Sequence, residues 1–258
     1  MMISGYPIWV VLLISVGVFC AAFVDAIGGG GGIISVPVYL LAGLPTHNAL
    51  GTNKLSSCLG TAASTLRYIK NGFVDWPLAV PSVVFALVGA YFGTRLQLMV
   101  DEAYLKYMLL LVLPVVAFIL LKQKSFPENR GEMAFALRAA IVWSASLVIG
   151  LYDGFYGPGT GTFLLLIFCN LAKLDLRSAS GNVKIVNLSS NIGALATALA
   201  AGTVLVPVGL IAAVFSIAGH YLGAGVTIKN GAKIVKPVIF IVLALLAVKI
   251  ILELFGIA

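Results

Sequence analysis

The chain has 258 residues, 61% of them hydrophobic and only 10% charged, with a mean hydropathy of +1.10. A soluble domain carries far more polar surface, so this composition excludes a water-soluble globule and points to an all-α polytopic membrane protein. The formal net charge of +7 lies in short loops rather than on one polar face, the pattern of membrane orientation and not of nucleic-acid binding.

Apolar segments are expected at 8–27, 33–44, 48–69, 76–97 and 104–121, then at 135–152, 160–172, 178–200, 204–225 and 234–257. A spanning helix needs about 20 mostly apolar residues, so 33–44 and 160–172 read as broken or re-entrant elements. Residues 1–8 contain no Lys or Arg, and no clear small-residue cleavage site follows the first apolar run. Trp9–Ile27 is therefore read as a first span rather than a signal peptide. Cys20, Cys58 and Cys169 lie in apolar segments without a C-x-x-C. They are expected as small buried hydrophobes, with no disulfide, metal or cofactor implied.

A shift of 130 residues superposes Gly29 on Gly159, Gly31 on Gly161, Gly51 on Gly181 and Lys54 on Lys184. The same shift matches Gly72 with Gly202, Pro77 with Pro207, Gly89 with Gly219, Gly93 with Gly223 and Lys106 with Lys236, with no gap. Chance matching of apolar residues does not produce such a series. The chain is expected to be two homologous halves, 1–121 and 134–258, joined by the charged linker "KQKSFPENRGEM" at 122–133.

Charge orients the halves. Apart from Lys54 and Lys184, 14 basic residues remain. If the short segments cross, the loops near 67–75, 122–138, 173–177 and 226–236 share one side and hold eleven of the 14. If they do not cross, the split is seven to seven. The positive-inside rule prefers the first arrangement. The expectation is two inverted repeats with about 8–10 membrane segments and both termini outside the cytoplasm.

"DAIGGGGGIISVP" (Asp25–Pro37) and "DGFYGPGTGTF" (Asp153–Phe163) place glycine strings where helix is otherwise expected. Each Gly costs about 1 kcal/mol against Ala in a helix, and unpaired backbone at membrane depth is tolerated only in protein or beside a wet cavity. Gly29, Gly30, Gly159 and Gly161 are read as helix breaks that aim N–H donors at an anion, close helix packing being the alternative. No βαβ pattern surrounds them, which excludes a dinucleotide fold.

Lys54 and Lys184 stand in apolar surroundings. A charge at mid-bilayer costs at least about 3 kcal/mol, so such lysines face a cavity or a partner. Snorkelling is the rival reading, since His47 and Arg177 each lie seven residues earlier, about 10 Å along a helix. Asn187 and Asn191 share a helical face with Lys184, and Thr52, Asn53, Ser56 and Ser57 flank Lys54. These polar residues either bind substrate or hold helices together. Asp25 and Asp153 precede the glycine strings and align only with a two-residue gap. Ion pairing, capping and carriage of a coupling proton all remain open for them. His220 aligns with Ala90 and reads first as hydrogen-bonded structure.

"GGGGGIISVPVYLLAGLPTHNALGTNKLSS" followed by "LRYIKNGFVDW" resembles the TauE/SafE sulfite-exporter family of bacterial membrane permeases. "KIVNLSSNIGAL" and "GAGVTIKNGAKIVKPV" in the second half agree, and the resemblance covers residues 8–252. It implies a multi-pass transporter of the bacterial inner membrane, with sulfite, sulfoacetate or other organosulfonates as substrate. The expected partners are a small anion, the lipid bilayer and a coupling proton or sodium ion. No Walker A motif is present, so an ion or substrate gradient must supply the energy. An anion channel is the alternative. A membrane-embedded enzyme is the weaker one, since no H-E-x-x-H or convergent nucleophile–base set appears.

Overall fold

The computed structural model describes residues 2–101, 104–105, 127 and 129–231. A two-residue strand pair, Met2–Ile3 with Tyr6–Pro7, precedes the helices. These are α1 (Ile8–Gly28), α2 (Gly31–Leu41), α3 (Thr46–Lys70), α4 (Trp76–Leu98), α5 (Phe135–Phe155), α6 (Thr160–Leu166), α7 (Leu176–Ala200) and α8 (Val206–Asn230). A π turn, Ile167–Leu171, extends α6. Eight of the ten expected segments appear within a few residues of their expected ends. The segment at 234–257, and 104–121 beyond Leu105, fall outside the described residues.

Local chemistry explains the helix starts. Pro77 and Pro207 occupy the first turns of α4 and α8, where a missing N–H costs nothing. Asp175 caps α7 by accepting from the N–H groups of Arg177 and Ser178, satisfying donors that a helix start leaves orphaned.

Among the described residues, five helices are long and apolar enough to cross a membrane: α1, α4, α5, α7 and α8. On α4 the exposed residues Trp76, Val80, Val84, Val88, Phe92 and Leu96 recur every four positions. On α8 Val206, Leu210, Val214 and Leu222 repeat that stripe. An apolar stripe at helical spacing facing outward is the surface that lipid covers. α3 falls outside the apolar set because it carries Asn53, Lys54 and a row of Ser and Thr, most of them buried. α7 has 67% of its most apolar window buried, against 28–44% for the other four. α3 and α7 are thus the polar centre, enclosed by lipid-facing helices.

Small residues bring the enclosing helices close. A Cβ on Gly219 or Gly223 would strike the carbonyl oxygens of Phe19 and Phe23 on α1, while on Gly89 or Gly93 it would strike those of Leu147 and Leu151 on α5. Such close backbone approach is how helices associate in lipid. The repeat is visible in these contacts. Gly51 packs on the Thr203 carbonyl and Gly181 on that of Phe73, so partners as well as glycines match at the 130-residue shift.

Chain directions follow from neighbouring residues. α3 and α8 run the same way, with Leu55 beside Gly209 and Arg67 beside Gly225. α3 and α7 run oppositely, since Asn48 bonds the Thr203 carbonyl and Thr65 that of Lys184. α2 turns back along α1: Gly31 lies against Ala21 and Asp25, Val38 against Gly17, and the Tyr6 hydroxyl reaches Gly43 O at 3.3 Å. The linker joins the α3–α4 loop through the Arg130–Asp75 pair at 2.9 Å. It also meets the start of α7, where Leu176 N bonds Pro127 O.

Candidate functional site

Both broken helices meet at the centre of the bundle. The first break separates α1 from α2 and the second separates α5 from α6. Gly30 and Gly159 are the N-caps of α2 and α6, and both adopt the left-handed conformation at φ 87°. A residue with a Cβ pays roughly 1–2 kcal/mol there, so glycine is the fitting choice. Gly30 and Gly159 are one residue off the 130-residue register, and Asp25 and Asp153 are two off. The gapless register expected from Gly29 onward therefore fails at the helix starts, because conformation and not residue count aligns the breaks. α3 and α7 keep the full shift.

Gly29 and Gly161 serve the crossing itself. A Cβ on Gly29 would strike Thr162 N, and one on Gly161 would lie 3.0 Å from Gly29 Cα. The Thr162 hydroxyl donates across the crossing to Gly28 O at 3.2 Å. The two strings touch backbone to backbone, which is the packing alternative for these two positions.

Each lysine finds a carboxylate from the other half. Lys54 Nζ on α3 lies 2.9 Å from Asp153 Oδ2 on α5, and it donates to Asn191 Oδ1 at 3.2 Å. Lys184 Nζ on α7 lies 2.6 Å from Asp25 Oδ2 on α1 and donates to the Asp25 carbonyl at 2.6 Å. Both lysines are buried, Lys54 at 7% and Lys184 at 2% exposure, so neither snorkels. The ion-pairing reading of Asp25 and Asp153 holds at both sites, and Asp25 also caps α2 by accepting from Gly31 N at 3.0 Å.

A central cavity of about 40 Å³, counted as space for the centres of water-sized spheres, opens between these groups. One water needs about 10–15 Å³ on this measure, so there is room for a few waters or a small oxyanion. Lys54, Asp153, Asp25, Asn53, Asn187, Asn191, Gly30, Gly159 and Gly161 line it. Lys184 and Gly29 do not. They border a smaller space behind, next to Asp25 and Gly161.

The sequence reading passed over Thr160, Gly157 and Ser216, which also line the cavity. Thr160 had a usable signal, as the first side chain after a glycine N-cap. Gly157 lies in the same glycine string, whereas Ser216 had no signal, since only packing brings it in. His220 lines the cavity too. Its Nδ1 lies 3.2 Å from Ser64 Oγ and its Nε2 3.9 Å from Asp25 Oδ2. Asn187 Oδ1 is buried without a hydrogen-bond partner, and buried amide oxygens are rarely left so.

A polar, ion-paired cavity between two broken helices, wrapped in lipid-facing helices, defines the class: a multi-pass membrane transporter. The comparisons with known proteins agree. The chain belongs to the sulfite exporter TauE/SafE family, whose model matches residues 13–250. It is 36% identical over 241 residues to the probable membrane transporter protein ORF9 of Sinorhizobium sp, covering 92% of this chain and 91% of that one. It is 32% identical over 237 residues to the probable membrane transporter protein YfcA of Escherichia coli (strain K12), covering 92% and 87%. A probable membrane transporter protein of Haemophilus influenzae is 33% identical over 244 residues, 94% of either chain. No solved structure matches the chain.

Proposed function

We propose that the chain is a secondary transporter of small anions, with sulfur oxyanions and organosulfonates such as sulfite and sulfoacetate as the substrate class. The observation that carries this reading is Lys54, an ammonium on the wall of a central cavity, held by a carboxylate that a substrate anion can replace. An oxyanion at that place gains a charge-assisted hydrogen bond of about 1.5–3 kcal/mol. Asn53, Asn187 and Asn191 are the neutral partners, and Gly30 and Gly159 leave the space beside the helix starts open. Lys184 acts one layer behind by holding Asp25. The family's name favours sulfite among the candidates.

The halves are proposed to be inverted repeats that expose the cavity to either side in turn. The opposed directions of α3 and α7 and the return of α2 along α1 support this. So does the placement of the α3–α4 loop and the linker at one end, the basic end that the positive-inside rule puts in the cytoplasm. The test is thermal unfolding in detergent with sulfite, thiosulfate and sulfoacetate against acetate, followed by counterflow in proteoliposomes. Stabilisation by the sulfur anions together with counterflow is expected. No stabilisation by any of them, or ion conductance without counterflow, overturns the carrier reading.

A further inference from the structure

The two ion pairs look equivalent by sequence, yet their carboxylates are surrounded by different chemistry. Asp25 is hydrogen-bonded by donors only, with His220 Nε2 farther off at 3.9 Å from its Oδ2. Its Oδ1 accepts from Gly31 N–H and its Oδ2 from the Lys184 ammonium, and neither group can accept a proton's hydrogen bond. Asp153 meets two hydroxyls besides Lys54. Thr160 Oγ1 donates to its Oδ1 at 2.9 Å and Ser190 Oγ to its Oδ2 at 2.7 Å. Each hydroxyl has a second acceptor already in reach: Gly157 O lies 2.7 Å from Thr160 Oγ1, and Asn187 O lies 3.1 Å from Ser190 Oγ. A hydroxyl both donates and accepts. Turned onto those carbonyls, either one offers its lone pair to a protonated Asp153. The hydrogen-bond partners of Asp153 thus suit both a carboxylate and a carboxylic acid, whereas those of Asp25 suit the carboxylate alone.

Charge balance adds a second, independent observation. Lys54, Lys184, Asp25 and Asp153 sum to zero at the wall of the central cavity and just behind it. An anion arriving alone makes that cavity net negative and takes Lys54 away from Asp153. A buried carboxylate without its partner is costly and is relieved by taking a proton.

We infer that the substrate anion enters together with a proton, and that Asp153 carries it. The inference rests on the anion-transport reading above and names its coupling ion. The step is balanced: a proton from water bonds to an oxygen of Asp153, its hydrogen bond to Lys54 breaks, and Lys54 bonds the anion instead. Release on the other side reverses this. For a monoanion the cavity stays neutral throughout, so the loaded carrier moves no net charge.

The groups that face Asp153 are few. α3 supplies Lys54, α6 supplies Thr160, and α7 supplies Ser190 with the neutral Asn187 and Asn191. α4, packed on the other side of α5, supplies Thr94, whose hydroxyl bonds Gly154 O. Tyr152 is the neighbouring titratable group on α5 itself. Across the cavity stand Asp25, Lys184 and His220, engaged with one another.

The experiment uses the full chain in proteoliposomes with a weakly buffered lumen and a trapped pH dye. The probes are labelled methanesulfonate and thiosulfate, whose charges do not change near neutral pH, so any proton moved is the protein's. Uptake is expected to acidify the lumen, and methanesulfonate uptake to be insensitive to a potential clamped with valinomycin. In Asp153→Asn the acidification is expected to vanish and methanesulfonate uptake to become sensitive to potential. Uptake by the native chain without acidification, uptake that requires sodium, or acidification unchanged in Asp153→Asn overturns the inference and leaves the transporter reading standing. No uptake of either probe overturns the anion-transport reading, and the inference with it.

Discussion

Asp25–Lys184 and Asp153–Lys54 are the same device built twice, one half lending a carboxylate to the other half's lysine. They differ in position and in company. In the Asp25 pair only the carboxylate reaches the cavity, Lys184 standing behind it, and the pair is tied to the start of α2 and to backbone, while both members of the Asp153 pair line the cavity and end on hydroxyls and amides. The fold holds two charged pairs. The residues around them differ between the halves: backbone groups for Asp25, hydroxyls for Asp153.

Removing Asp25 is the strongest way to break that comparison. Asp25→Ala leaves Lys184 buried without its counter-charge, and breaking a buried ion pair from one side costs about 3–5 kcal/mol. The variant is expected to lose its monodisperse peak in detergent chromatography and to unfold at a markedly lower temperature than Asp153→Asn. Equal losses in the two variants would make the pairs equivalent again.

Lys54→Met tests the cavity-facing pair. It is expected to weaken anion binding by at least about tenfold, equal to 1.4 kcal/mol, in a titration that follows thermal unfolding. Lys54→Arg is expected to restore part of the affinity, because a planar fork differs from a compact ammonium. The pair Lys54→Met with Asp153→Asn removes the stranded carboxylate as well. Affinity that returns in the pair would make charge balance, and not contact with the anion, the role of Lys54.

The glycine N-caps sharpen the comparison in the other direction, since there the halves agree. Gly30→Leu and Gly159→Leu are each expected to add roughly 1–2 kcal/mol of backbone strain and to place a side chain in the cavity. Inserted protein with no labelled-anion uptake is the expected outcome for both. Full uptake by the double variant would reduce both glycines to packing.

The smallest perturbation concerns orientation. In a background free of Cys20, Cys58 and Cys169, a cysteine at Asn129 is expected to resist impermeant thiol reagents in intact cells. One at Ala201, at the far end of α7, is expected to react. Labelling of both from outside contradicts the inverted arrangement.

Much of this protein was legible in its sequence. Helix spans follow from runs of apolar residues, and the need of Lys54 and Lys184 for a partner from the cost of charge among such residues. These are local or covalent properties, and residue counting captures them. Counting failed at the breaks, where Gly30 answers to Gly159 across a one-residue slip, because the sign of φ and the first free N–H align two helix starts. It also left Asp25 and Asp153 undecided between pairing, capping and proton carriage. Their partners lie far away along the chain, and which hydroxyl faces which oxygen is set by helix crossings that no linear spacing encodes. Tertiary packing alone placed Thr160 and Ser190 around one carboxylate, and Lys184, the Gly31 N–H and His220 around the other. Hydrogen bonds act over about 3 Å, and at that range two matching sequences form two different sites.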